Sequence, residues 1–388
     1  MSKTITWKPS NVILTQKDHY SKGITAMTFS GDGRFLAVAY GRRIDIWDVR
    51  GDARVPFETN TASADALCLT WFRNQYSLLS GHADGGVYHT EMTANGPMCN
   101  GFRHQGHHQP VTAMALLNDV FLAVATNDRV QIWEFEPGEQ SWNLLNHLPP
   151  PPPVGHASPT NAQVSQSLYW LNEQELLVSY EDVAVIRYQI ENFHPLQVNI
   201  VSANSMGGII DVCFATKNIL TRESHSNTFK LYTYNDALSP QLVTTFTPQS
   251  RVLNRSLPVS DAIFCTTDTV IGSSTGRLFL WDLSGSRIAT LVVPDASQGL
   301  VRTIACGYDY ALQCGRMATT VERKLAGEVT LWSTSEEPED IIEDSEAVTE
   351  QLDNDEAGHS TNATFDWVAL SQIGIVIAAV IGYFKVYS

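Results

Sequence analysis

Seven copies of one short pattern recur along this chain, and that period constrains the fold more than any other feature. The pattern is plainest over residues 23–48, GITAMTFSGDGRFLAVAYGRRIDIWD. ITAMTF and FLAVAY are apolar runs of strand length, separated by the turn SGDG. GRR makes a second turn, and RIDIWD alternates apolar and polar residues up to Trp47 and Asp48. Weaker copies follow. The place of Trp47 is taken in turn by Thr90, Trp133, Tyr188, Tyr232, Trp281 and Trp332, at intervals of 43, 43, 55, 44, 49 and 51 residues. The longest interval holds the proline run at residues 149–153.

Each unit opens with an apolar strand: ALCLTWF, VTAMALL, SQSLYWL, IIDVCFA, VSDAIFC and VRTIACG after the first. A second apolar strand follows in each: YSLLSG, FLAVAT, ELLVSY, NILTRE, TVIGSS and YALQCG. Fourth strands are looser, with WNLLNHL, QLVTTFT and RIATLVV the clear ones. One unit cannot bury both faces of its small sheet, whereas seven packed radially can. The pattern resembles the WD40 β-propeller family, over roughly residues 10–335. The family's Trp-Asp pair stands at Trp47-Asp48 and Trp281-Asp282, with Trp133-Glu134 a near match. The family's aspartate before the third strand fits Asp84 and Asp128, and its Gly-His turn is approached only at Gly106-His107. The resemblance implies an all-β, seven-bladed propeller in which residues 11–16 (NVILTQ) complete the last blade and close the ring.

Charge is concentrated at one end. The net charge is −16, and residues 336–366 hold twelve Asp/Glu and no Lys/Arg, leaving about −4 on the remainder. This run reads as a disordered, self-repelling linker. No long basic cluster occurs, which argues against nucleic-acid binding. Of six cysteines, Cys68, Cys213, Cys265 and Cys306 lie in apolar strand runs, and none stands in CxxC spacing with another. They read as small buried hydrophobes in a reducing compartment. The first twenty residues have no apolar run long enough for a signal peptide.

Residues 367–384, WVALSQIGIVIAAVIGYF, carry no charge. As a helix they span about 27 Å, against roughly 30 Å of bilayer hydrocarbon. Trp367, Tyr383 and Phe384 flank the run as interfacial aromatics do, and Gly374, Ala378 and Gly382 share one helix face. The expectation is a C-terminal transmembrane anchor with the propeller in the cytoplasm. The alternative lays residues 365–388 out as strands of an eighth blade in a soluble scaffold.

Several residues invite a chemical reading beside a structural one. His104, His107 and His108 form a cluster that a metal would favour, but they read as a degenerate Gly-His turn. Residues 149–153 form a polyproline II helix, either a ligand for aromatic grooves or a stiff loop. The triplets at Asn254 and Asn362 match the glycosylation pattern. Asp84 with Ser80, and Asp128 with Thr126, look like polar catalytic groups, but the family resemblance gives them structural roles within a blade. No P-loop, GxSxG, HExxH or paired-Cys motif occurs. The expectation is a non-catalytic scaffold with no cofactor, metal or small-molecule substrate, binding other proteins through loops at the top and rim of the ring. An enzyme using the central channel is the reading from another class, recognised by clustered His, Asp or Glu at the channel mouth.

Overall fold

The computed structural model describes residues 5–14, 23–51, 56, 58–74, 76–93, 96–103, 109–127, 129–151, 165–180, 184–191, 194–203, 208–222, 228–234, 240–248, 261–274, 276–293, 300–323 and 326–336. Their strands form seven antiparallel sheets of four. The chain opens with β1 (Ile5–Leu14). Blade 1 is β2 (Ile24–Phe29), β3 (Phe35–Tyr40), β4 (Arg43–Asp48) and β5 (Glu58–Thr61). Blade 2 is β6 (Ala66–Trp71), β7 (Ser77–His82), β8 (Gly86–Thr93) and β9 (Gly96–Arg103). Blade 3 is β10 (Val111–Leu117), β11 (Phe121–Thr126), β12 (Val130–Glu136) and β13 (Ser141–His147). Blade 4 is β14 (Ser165–Asn172), β15 (Glu175–Tyr180), β16 (Ala184–Glu191) and β17 (His194–Ala203). Blade 5 is β18 (Gly208–Cys213), β19 (Asn218–Arg222), β20 (Phe229–Thr233) and β21 (Gln241–Phe246). Blade 6 is β22 (Ala262–Phe264), β23 (Thr269–Ser274), β24 (Arg277–Asp282) and β25 (Arg287–Val292). Blade 7 is β26 (Leu300–Asp309), β27 (Cys314–Arg323) and β28 (Ala326–Glu336), completed by β1 on its outer edge.

First strands of neighbouring blades touch all the way round, from β2 to β26 and back to β2, so they form the inner wall of a closed ring. Second strands such as FLAVAY and ELLVSY are buried on both faces and read as continuous apolar runs. Outer strands such as RIATLV are half exposed. Seven apolar clusters make up the core, and each joins two adjacent blades. One links Met27, Leu36, Val38 and Trp47 of blade 1 to Ala305, Ala318, Val329 and Leu331 of blade 7, so ring closure is apolar as well as hydrogen-bonded. β1 and β28 tie the two ends of the ring into one sheet.

The strands depart furthest from the sequence reading at two places in the seventh blade, while β22 is shortened to Ala262–Phe264 within the expected VSDAIFC. The closing strand runs Ile5–Leu14, offset from the expected residues 11–16. Pro9, which has no N–H to donate, sits at a bulge between Pro9 and Asn11 on that outer edge. In blade 7, YALQCG was expected as the second strand, but residues 310–313 form a turn and the strand is Cys314–Arg323. Asp309 accepts from the amides of Ala311 and Leu312, and Gln313 adopts φ 53°, so the chain reverses there despite its apolar composition.

By its contacts the chain divides into Met1–Pro338 and Glu339–Ser388. The second unit lies outside the described residues, and with it the expected linker over most of its length, the expected anchor at Trp367, Gly374, Ala378, Gly382, Tyr383 and Phe384, and the eighth-blade alternative. Among the described residues no helix is long and apolar enough to cross a membrane.

Candidate functional site: a stitched turn face

The seven repeat markers share one register. Trp47, Thr90, Trp133, Tyr188, Tyr232, Trp281 and Trp332 pair across to Leu36, Leu78, Leu122, Leu176, Ile219, Val270 and Met317 of the second strands. All seven are buried. The aspartates that follow two of them organise turns. Asp48 accepts from the Arg50 amide and pairs with the Arg34 guanidinium at 2.8 Å. Asp282 accepts from the amides of Ser284 and Ser286. Asp84 stands in the turn before β8 and accepts from the Gly86 amide. Ser80 is bonded to His82 Nε2 at 2.8 Å rather than to Asp84, and the other ring nitrogen of His82 meets the Ala64 carbonyl. Burial lowers the His82 pKa. Asp128, the histidines at 104, 107 and 108, and both glycosylation triplets lie outside the described residues. Of the proline run, residues 149–151 are described, and the Pro149 carbonyl accepts from the Tyr188 hydroxyl at 3.0 Å.

The inner wall is held by polar side chains that reach the backbone of the next blade. Thr25 donates to the Ala66 carbonyl at 2.7 Å, Ser167 to Ile209 at 2.8 Å and Tyr169 to Ile210 at 2.6 Å. Asp211 accepts from the Phe264 amide at 2.8 Å, and Asp261 from the Ile304 amide at 3.2 Å. Burial pushes the carboxyl of Asp211 up to about 7 and that of Asp261 up to about 6, against the opposing pull of their amide donors. Each carboxylate also accepts from the amide of its own following residue, Val212 and Ala262, so all four oxygens are engaged by backbone. The pair therefore acts as a clamp from blade 5 to blade 6 and from blade 6 to blade 7. Cys265 and Cys306 pack beside it as free thiols. Among the described residues no group of three or more His, Cys, Asp or Glu is placed to hold a metal.

The face that carries the turns between first and second strands is built differently. Successive turns are bonded to each other across five blades. The turn of blade 1 is wedged between its neighbours. A Cβ on Gly33 would stand 2.6 Å from the Tyr308 backbone, and one on Gly31 would stand 2.9 Å from the Arg73 carbonyl. Arg50 makes two bonds to Asp309, at 2.8 and 2.7 Å, tying blade 1 to blade 7. Burial raises the pKa of Asp309, but Arg50 and the turn amides more than offset it and hold the carboxyl below its usual range. The Tyr76 hydroxyl of blade 2 donates to Asp32 of blade 1 at 3.1 Å. Asp119 of blade 3 accepts from the amides of Arg73 and Asn74 of blade 2 at 2.7 and 2.9 Å. Asn118 donates to Glu173 of blade 4 at 2.9 Å.

On this tied framework stand Tyr76, Tyr308, Tyr310 and Leu312, all exposed, Tyr310 to 64%. Tyr308 and Tyr310 meet edge to face at 5.1 Å. The half-exposed Arg34 lies over the Phe35 ring at 4.7 Å, and Phe35 in turn meets Tyr76 edge to face. Tyrosine and arginine, exposed here on turns bonded to one another, are residue types enriched at protein interfaces. Sequence reasoning placed binding on the loops at the top and rim and missed these residues. Their signal was the run YDYAL, polar and aromatic at once, which a strand reading absorbed.

Comparison with known proteins agrees with this architecture. The family model described as WD domain, G-beta repeat matches residues 10–48, the stretch from the end of β1 to the end of β4. No curated protein matches the chain by sequence. Among solved structures, the beta-propeller domain of Cps50 (Swd1) from Myceliophteria thermophila superposes with a TM-score of 0.62 at 16% identity, covering 85% of this chain and 100% of that one. At that identity the likeness speaks for the fold alone. The chain thus carries a WD40 repeat at residues 10–48, and its seven blades around a closed ring give it the fold of a seven-bladed β-propeller, similar to that of WD40 proteins.

Proposed function

We propose that this protein is a non-catalytic interaction scaffold that presents the turn face of blades 7, 1 and 2 to a partner protein. The observation that carries the reading is the exposed set Tyr76, Tyr308, Tyr310 and Leu312 on turns bonded to one another. A docking surface gains affinity when its anchors are already held in place, because less conformational freedom is lost on binding. The two carboxylates of the inner wall favour the non-catalytic reading, since their oxygens already accept from backbone amides. WD40 propellers generally bind other proteins, which agrees with the same reading. The test is affinity purification of the full chain beside a Tyr76→Ser/Tyr310→Ser variant, with partners quantified by mass spectrometry. The reading requires a set of partners lost from the variant while its melting temperature is kept. An unchanged partner set rejects this face as the interface.

Membrane tethering is a second part of the proposal and rests on sequence. Residues 367–384 are uncharged and long enough to approach the bilayer thickness. The free thiols of Cys68, Cys213, Cys265, Cys306 and Cys314 favour a propeller in the reducing cytoplasm. Alkaline carbonate extraction of the full chain and of a version ending at Asn362 tests it. Retention of the full chain in the pellet, with a soluble folded truncation, supports the tether. A soluble full chain rejects it.

A further inference from the structure

Among the described residues the outer strand of every blade pairs on one edge only, and such edges are open templates unless guarded. The guards differ around this ring. On β1, Lys8 and Pro9 are exposed beside a bulge. On β13, the exposed positions are Asn143 and His147. β25 carries neither Pro nor Lys. Its sequence is RIATLV, with Ile288 57% and Val292 67% exposed and Thr290 exposed between them. After a bulge at the Leu280/Trp281 step, Ala289–Val292 pair regularly with β24, so the outward edge there is straight.

The charged side chains on β25 itself and directly across from it are both basic. Arg287 begins the strand, and Arg277 stands directly across from Val292 at its other end. Both are exposed, and among the described residues neither guanidinium is in an ion pair. Asp282, the acid nearest in sequence, is taken up by Ser284 and Ser286 within its own turn. The neighbouring outer strand β21, QLVTTF, has no charge and adds exposed Leu242 and Val243.

We propose that β25 is a strand-addition site for an extended partner segment with apolar residues at alternate positions and an acidic residue toward each end. Backbone pairing along 289–292 supplies the register, and Ile288 and Val292 supply apolar contacts on alternating positions. Exposed ion pairs contribute little to affinity, so Arg277 and Arg287 act mainly on choice of partner and on its direction. This site is separate from the tyrosine-bearing turn face and stands or falls independently of it.

The test is selection of a random octapeptide display library on the full chain, followed by binding of the recovered peptides. Recovered sequences should alternate apolar residues and end in Asp or Glu. They should bind the wild type at least about tenfold tighter than an Ile288→Lys/Val292→Lys variant. They should also slow amide exchange in β25 of the wild type, a readout that needs no variant. An Arg277→Glu/Arg287→Glu variant should turn the preference toward lysine-ended peptides. Recovery of no peptide, recovery of peptides without acidic ends, or equal binding to both variants overturns the proposal. A dimer of the full chain that Ile288→Lys/Val292→Lys dissociates also overturns it, by assigning the strand to a second copy.

Discussion

The indole Nε1 of Trp332 donates to the hydroxyl of Thr319 at 3.1 Å, joining the third and second strands of blade 7 inside the core. Thr319 lies two residues beyond Met317, the residue paired with Trp332. At the same offset in blade 1 stands Val38, in the same apolar cluster as Trp47, and the Trp47 Nε1 is buried without a hydrogen-bond partner among the described residues. Blade 3 solves the problem another way, with Trp133 donating to Gln131 at 3.2 Å. Val38→Thr should therefore supply the missing acceptor and raise stability by about 1 kcal/mol. Val124→Thr, at the same place beside the satisfied Trp133, should cost about 2 kcal/mol for a buried hydroxyl. Urea midpoints of the two variants check the pair, and equal destabilisation would reject the shared geometry.

Gly33 has φ 69°, and its missing Cβ leaves room for the backbone of Tyr308 and Asp309. Gly33→Ala meets both the left-handed backbone penalty and that backbone. It should destabilise by about 1–3 kcal/mol, and it should weaken partner binding at Tyr308 and Tyr310 more than at β25.

Asp309 is fully buried and accepts two bonds from Arg50, with Arg316 at 3.5 Å. Removing Arg50 leaves a buried carboxylate short of its main partner. Arg50→Ala should cost about 3 kcal/mol, larger than Arg42→Ala on the exposed hairpin turn. The cost should shrink in acid, as Asp309 is protonated. The folded-state pKa of Asp309 is depressed, so its contribution is present above the unfolded value and is lost as pH falls through the folded one.

Two further titrations have opposite signs. His89 is stacked on Phe72 at 4.8 Å beside Phe135 and Trp142, and burial lowers its pKa to about 4. The unfolded chain takes up that proton first, so stability from His89 falls as pH drops from about 6.5 to about 4, by about 3 kcal/mol. Asp211 is raised to about 7, so the folded chain holds its proton longer. Its contribution is present at low pH and is lost as pH rises toward 7. Wild type minus His89→Phe should slope downward into acid, and wild type minus Asp211→Asn should slope upward. Denaturation curves at pH 4.5, 5.5, 6.5 and 7.5 (roughly spanning both pKa ranges) separate the two.

The unit and its repetition were legible in the residue pattern alone. A third strand ending in Trp, Tyr or Thr follows two apolar strands, and no single blade buries both of its faces, so a ring was required. The burial of Trp47, Trp133, Trp281 and Trp332 was legible for the same reason, since side-chain period and hydrophobicity are local properties. The turn at residues 310–313 was not legible. YALQCG is apolar enough for a strand, and only the capping of Ala311 and Leu312 by Asp309, itself held by Arg50 from the far end of the chain, makes it reverse. The candidate interface was hidden for that same reason. Tyr76 and Tyr310 are far apart in sequence, and ring closure brings their turns to either side of Gly33. The roles of Asp211 and Asp261 likewise depend on amides of the next blade. Contacts between blades are contacts between distant stretches of chain, and the tertiary structure alone decides which of them meet.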